Sequence, residues 1–262
     1  MPKLKETENE YSKEYRKKLG FTNQGSAKEF FGAKDVIPDI DFEYIELLNR
    51  RLYEMVDRMN KVVIKEVVAT MPAAFKKEFI DRPFSIMKKN GILPRLNNLG
   101  RRPEQVYFNW MRGYVIQSFF SKAIDLIFDV DTRRKILIGD DDFKELGTFK
   151  KTPKADLELE LNSGEKLRLE IQAGFTGTND IKKHKVTEAK RVFNELGIHT
   201  IAVHFDLYDG RVAFLKLDGI DESNPGWESR PQMEGQMVLS ISEECFLWNM
   251  TDSPVKYKDM NL

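Results

Sequence analysis

Between residues 41 and 69, Ile45, Leu48, Leu52, Val56, Met59 and Val63 recur at spacings of three and four, the stripe of one helix face. Asp41 stands where an N-cap belongs, and Pro72 closes the run. A shorter helix is expected within 73–84. The stretch 90–103, NGILPRLNNLGRRP, is dense in turn residues. Pro103 then opens a second long helix over 104–128, carrying Val106, Trp110, Tyr114, Ile116, Phe119 and Phe120. After residue 130 the pattern changes. Strand-like pieces fall at 135–138, 149–151, 155–161, 166–172, 200–205, 212–217 and 238–241. One helix over 180–196 interrupts them and stops at Gly197. Residues 1–40 keep no sustained period and are expected to form an arm with one short helix over 10–18. The remainder, 41–262, is read as a single α/β domain, helical over 41–130 and a sheet with a packed helix over 131–262.

Alternation is sharpest in KADLELELNSGEKLRLEIQAGF, residues 154–175. Leu157, Leu159 and Leu161 share one face, and Asp156, Glu158 and Glu160 the other. In the next run Leu167, Leu169 and Ile171 oppose Arg168, Glu170 and Gln172. A three-residue NSG loop with Gly in the left-handed position joins the runs. That loop sets Glu160 opposite Lys166, Glu158 opposite Arg168, and Leu157 opposite Leu169. A two-residue loop would mix the faces. The same register sets two like charges, Asp156 and Glu170, against each other. Nothing on these two strands neutralises them. Such a pair either raises a pKa or shares a cation, for which Mg²⁺ is suited by its preference for oxygen ligands. The other reading is a solvated sheet face whose carboxylates find partners elsewhere.

The chain of 262 residues balances 42 Lys and Arg against 42 Asp and Glu, so net charge announces no particular partner. A local basic groove remains compatible with that total. The single cysteine, Cys245, excludes disulfides within the chain and makes a thiolate zinc site a poor expectation. The first residues are charged, without the apolar core of a secretory signal, and no apolar run approaches the roughly 20 residues of a membrane span. The expected setting is reduced and cytoplasmic. His199 and His204 are five apart on an expected strand and face opposite ways, a poor metal pair. The acidic turn at 139–145 reads as solvated rather than cation-binding.

An Asp, a hairpin, then Glu-x-Lys on the following strand marks the PD-(D/E)xK nuclease superfamily. Residues 104–217 resemble it in this motif, with Asp156 after Lys154-Ala155 and then Glu170-Ile171-Gln172, and in the order of helix, hairpin, helix and strand. Ala155 replaces the name-giving Pro, and Gln172 stands where Lys is usual. Some restriction endonucleases carry Glu-x-Gln at that place, so the departure is compatible with activity. The resemblance implies a restriction-endonuclease-like mixed β-sheet core flanked by helices, and most closely a type II restriction endonuclease acting on double-stranded DNA as a homodimer. It implies Mg²⁺ on Asp156, Glu170 and the Ile171 carbonyl, with Gln172 orienting the attacking water. Lys182, Lys183 or Lys185 would supply the missing positive charge; phosphate contacts and a solvated helix face are the competing readings. Glu104 matches a further acidic position of the family, although a helix N-terminus favours a carboxylate in any case.

DNA contacts are expected from Thr176, Thr178 and Asn179 in the loop after the second hairpin strand, and from Lys182, Lys183 and Lys185. Arg230 and Gln232, in a long loop over 221–236, suit guanine and adenine edges. Arg101 and Arg102 are expected on the DNA backbone. Two rivals stand beside the restriction reading: a repair or mobile-element nuclease on the same fold, and a DNA-binding protein whose site has decayed, with Gln172 as its mark.

Overall fold

The computed structural model describes residues 2–33, 35–68, 71–96, 101–131, 134–138, 143–149, 155–223, 225–231 and 235–262. Residues 139–142 of the acidic turn and Gln232 therefore lie outside the described residues, as do 150 and 151 of the strand expected at 149–151.

The N-terminal arm holds two helices, α1 (Pro2–Lys18) and α2 (Gln24–Phe31), where one shorter helix is expected. Asn23 starts α2 by accepting from the amide of Ser26. The long helix α3 (Phe42–Val62) is capped by Asp41 as its sequence implies, but it stops well short of residue 69. The β-branched run Val62, Val63 and Ile64, followed by Val67 and Val68, explains the early end, because such residues lose side-chain freedom in a helix. Pro72 does not terminate α3; it opens α4 (Pro72–Lys76). A π-turn over Lys77–Asp81 leads into α5 (Arg82–Lys89), with Pro83 in its first turn.

The second long helix divides at Phe120 into α6 (Pro103–Phe119) and α7 (Ser121–Phe128). The break seats the Phe120 ring flat on Phe205, with centroids 4.2 Å apart, so the helical half is keyed to the sheet at that point.

The main sheet has six strands in the order β1 (Lys135–Leu137), β2 (Leu157–Glu160), β3 (Lys166–Gly174), β5 (His199–Asp206), β6 (Arg211–Lys216), β9 (Phe246–Asn249). All neighbours are antiparallel except β3 and β5, which run parallel across α8 (Lys183–Leu196). A smaller antiparallel sheet joins β4 (Asp180–Lys182), β8 (Gln236–Ser240) and β7 (Glu228–Arg230). Three of these strands, β4, β7 and β9, are too short or too polar to carry a readable alternation. The first residues expected in the helix over 180–196 form β4 instead, and residue 149 ends a 3₁₀ turn rather than starting a strand.

Leu167 and Leu169 bury with residues of α3, α6 and α7 in the main core. On the opposite face, Ala202 packs with Val186 and Ala189 of α8. The mixed α/β architecture is thus a sheet with helices on both faces and a helical N-terminal half. The hairpin register is the expected one, with Glu158 opposite Arg168, Glu160 opposite Lys166 and Leu157 opposite Leu169. The Leu161 amide donates to the Glu165 carbonyl at 2.8 Å, and Gly164 turns the loop at φ 83°. Only Gly holds that conformation without strain. Gly164→Ala should lower the unfolding free energy in urea by about 1 kcal/mol, and Gly164→Asn by less.

Candidate active site

The β2–β3 ladder ends at the pair Leu157–Leu169, and β3 runs past it paired with β5 on its other edge. Asp156 sits in the fork. Its amide donates to the Leu169 carbonyl at 2.9 Å, and its Oδ2 accepts from the Ile171 amide at 2.7 Å. A side chain thus takes the hydrogen bond that another β2 residue would otherwise make. The Ile171 carbonyl leaves the same strand edge as its amide, beyond the end of the ladder. Glu170 lies on the α8 face, since its strand partner is Ala202.

The α8 face also supplies the neutralising charge missing from the hairpin. Lys185, in the first turn of α8, places Nζ 2.8 Å from Glu170 Oε2. The two side chains are only 15% and 6% exposed, so this is a buried ion pair. Gln172 Nε2 donates to Glu170 Oε1 at 3.4 Å. Burial and the neighbouring Asp156 push Glu170 up to about 7, against the opposing pull of Lys185. Asp156 is also raised, chiefly by burial, with the Ile171 amide and Lys185 acting the other way.

Among the described residues no cluster of three or more His, Cys, Asp or Glu side chains gathers. Two carboxylates with an adjacent free-edge carbonyl nevertheless form an all-oxygen set of the size Mg²⁺ uses when it keeps several waters. The raised carboxylates are the groups a divalent charge would return to their ionised form. The residues present therefore fit the ion.

A second network adjoins the site on the same face. Gln172 is the strand partner of His204, which is 4% exposed. Asp206 Oδ2 accepts from Asn179 Nδ2 at 2.7 Å, so Asn179 Oδ1 is turned toward His204 Nε2, also 2.7 Å away. His204 must donate from Nε2 there. Its Nδ1 is then a bare acceptor, buried and without a partner among the described residues. Burial drives His204 down to about 4 despite Asp206 and Asp180. Gly174 admits this packing, because a Cβ there would stand 2.7 Å from Asn179 Oδ1 and 3.0 Å from His204 Nε2.

The remaining expected site residues are placed as follows. Glu104 is buried at the start of α6; Oε1 accepts from the Asp41 amide at 2.9 Å, and Arg102 Nε lies 3.3 Å from Oε2. These contacts tie α6 to the cap of α3, and Glu104 is not among the groups that shift Asp156 or Glu170. Arg102 also pairs with Asp41 at 3.5 Å, while Arg101 is exposed. Thr176 and Thr178 are exposed in the loop after β3, whereas Asn179 is committed to His204 and Asp206. Lys182 lies on β4, and Lys183 donates to the Glu222 carbonyl at 3.1 Å. Of these three lysines, Lys185 reaches the carboxylates. Arg230 belongs to β7 rather than to a long loop, and it pairs with buried Asp180 at 3.2 Å and with Glu228 at 3.2 Å. The hairpin pattern points to Asp156, Glu170 and Gln172; His204 carries no sequence signal, because its role depends on the parallel pairing of β3 with β5.

No helix among the described residues is long and apolar enough to cross a membrane. No family model matches the chain. No curated protein matches it either. Among solved structures, the chain is similar to Hjc, a Holliday junction resolvase from the archaeal hyperthermophile Archaeoglobus fulgidus. The match covers 43% of this chain and 75% of that one, at 12% identity and a TM-score of 0.28. A likeness that slight adds nothing to the topology described above.

Neutral buried His204 has a definite consequence for stability. The unfolded chain binds its proton near pH 6.5 and the folded one only near 4, so the contribution is complete above 6.5 and lost as pH falls through 4. The full difference is about 3 kcal/mol. Glu170, raised to about 7, contributes in the opposite sense over the same range, so the difference in urea stability between wild type and His204→Gln should shift by that amount between pH 7 and pH 4.

Proposed function

We propose that this protein is a Mg²⁺-dependent endonuclease that hydrolyses phosphodiester bonds in double-stranded DNA, and that it acts as a type II restriction endonuclease. The observation that carries the reading is the convergence of Asp156, Glu170 and Lys185 on one buried point at the β2–β3 fork. Carboxylates from both sides of a hairpin and a lysine from the following helix are the parts a phosphodiester hydrolase needs. Asp156, Glu170 and the Ile171 carbonyl would hold the metal. When bound, it lowers the pKa of a coordinated water and offsets charge on the scissile phosphate.

The chain's own groups divide the rest of the work. Lys185 provides the fixed cation that Gln172 cannot, aimed at negative charge developing on the phosphoryl oxygens. Gln172, held to Glu170 Oε1 by its amide NH₂, keeps its carbonyl oxygen available to orient a water. Glu104 and Arg102 have the supporting role of fixing α6 against α3. The homodimer follows from symmetry: two cuts in a palindromic duplex call for two sites related by a twofold axis. The decayed-site reading draws on Gln172 alone, and Lys185 beside Glu170 weakens it.

Supercoiled plasmid incubated with Mg²⁺ should yield discrete fragments with wild type. Asp156→Ala and Glu170→Gln should bind duplex and not cut it. Lys185→Ala should cut about 10²-fold more slowly, the usual loss of one preorganised charge, and Lys185→Arg should recover part of it. Cutting by Lys185→Ala at the wild-type rate would remove the migrated-lysine role. Fragments of random length would leave a nuclease without restriction specificity. In thermal unfolding, Mg²⁺ should raise the midpoint of wild type by mass action and leave that of Glu170→Gln unmoved.

A further inference from the structure

On the other side of β3 from Glu170, α6 presents a cation that the site described above does not use. The Arg112 guanidinium lies 4.6 Å from the centroid of the Phe175 ring and 5.8 Å from that of Phe108. Phe175 is the first residue past β3 and is half exposed. Arg112 is itself half-buried, and burial lowers its pKa. No carboxylate pairs with it among the described residues. A desolvated guanidinium without an anion is a costly arrangement, which Arg102, Arg168, Arg211 and Arg230 all avoid by ion pairing.

The geometry of the stack decides which ligand suits it. A ring below the guanidinium occupies its face, while all five N–H donors lie in its plane and point outward. That fork matches two oxygens of one phosphate. The neighbouring surface of α6 is open. Gln105, Asn109 and Gly113, spaced four apart, are all exposed and uncharged. A Cβ on Gly113 would meet no atom of the described residues within 4 Å, so no packing among them explains a helix-breaking residue there. Exposed Thr176 and Thr178 border the same end of β3. Gln172 and Phe175 are three residues apart, about 10 Å in extended chain, within reach of phosphates two or three steps along one strand.

Building on the nucleic-acid reading of the carboxylate site, we propose that Arg112, stacked on Phe175 beside the open Asn109–Gly113 ridge of α6, is a clamp for a backbone phosphate of the bound duplex. It positions DNA along the end of β3 and reads no base.

The test is the affinity of full-length protein for a fluorescent duplex as a function of KCl, with Ca²⁺ in place of Mg²⁺ to hold back cleavage. Arg112→Ala should weaken binding about tenfold at moderate salt. It should also flatten the plot of log K against log salt by about one unit, because one phosphate contact is lost. Arg112→Lys should keep the slope and recover only part of the affinity, and Phe175→Leu should weaken binding several-fold. A purely structural arginine would move the thermal midpoint and leave the salt slope untouched. Should Arg112→Ala fail to fold, Arg112→Gln carries the same comparison. Wild-type affinity and slope in a folded Arg112 variant overturn the clamp while leaving the nuclease reading intact. A wild-type protein that binds no duplex overturns both.

Discussion

Two carboxylates of like charge, buried Glu170 and half-buried Asp156, brought side by side just past the end of one hairpin's ladder, are the constraint from which the rest of the site follows. Leucine on one face of β2 and β3 fixes that register, and sliding it by a residue would turn the core outward. Asp156 and Glu170 cannot move apart without undoing the pairing that buries Leu157 and Leu169. Their repulsion must be met from outside the hairpin. It is met by the Ile171 amide at Asp156 and by Lys185 at Glu170. The fold therefore holds a compact pair of carboxylates with one cation already in place, an arrangement in which burial opposes the ionisation of both acids.

The hairpin was legible from sequence because it is a local structure. Strict alternation, a Gly in the third loop position and complementary charges all favour one pairing. The capping of α3 by Asp41 and the left-handed Gly197 at the end of α8 are local signals of the same kind. What stayed hidden depends on contacts remote in sequence. The break at Phe120 follows from stacking on Phe205, 85 positions later, and no periodicity in α6 announces it. Three lysines near the start of α8 look alike in the sequence; only the approach of the helix to β3 selects Lys185. Glu104 and Arg230 have the residue types of functional groups, yet their charges are taken by Asp41 and Arg102 in the one case and by Asp180 and Glu228 in the other.

The two faces of β3 divide the polar work. On the α8 side lie the carboxylates, Gln172 and the chain from His204 through Asn179 to Asp206. That chain has a single allowed direction of proton donation, because Asp206 can only accept, and burial favours the neutral form of His204. On the α6 side, aromatic rings and aliphatic side chains fill the space until β3 ends and Arg112 meets Phe175. A strand that buries Leu167, Leu169 and Glu170 thus becomes less enclosed over its last few residues, with polar groups at both faces.

The entry into α8 has a further consequence. No side chain caps this helix at its N-terminus; the preceding residue, Lys182, is instead held in β4, opposite Val238 of β8. The ammonium group at the carboxylates is thereby anchored by a segment more than fifty positions downstream. The C-terminal third of the chain is a brace for the carboxylate site as well as a flank of the sheet. Loss or slippage of β8 would leave the start of α8 held by Lys183 and Thr187 on Glu222 and by Val186 against the sheet, loosening the lysine before either acid.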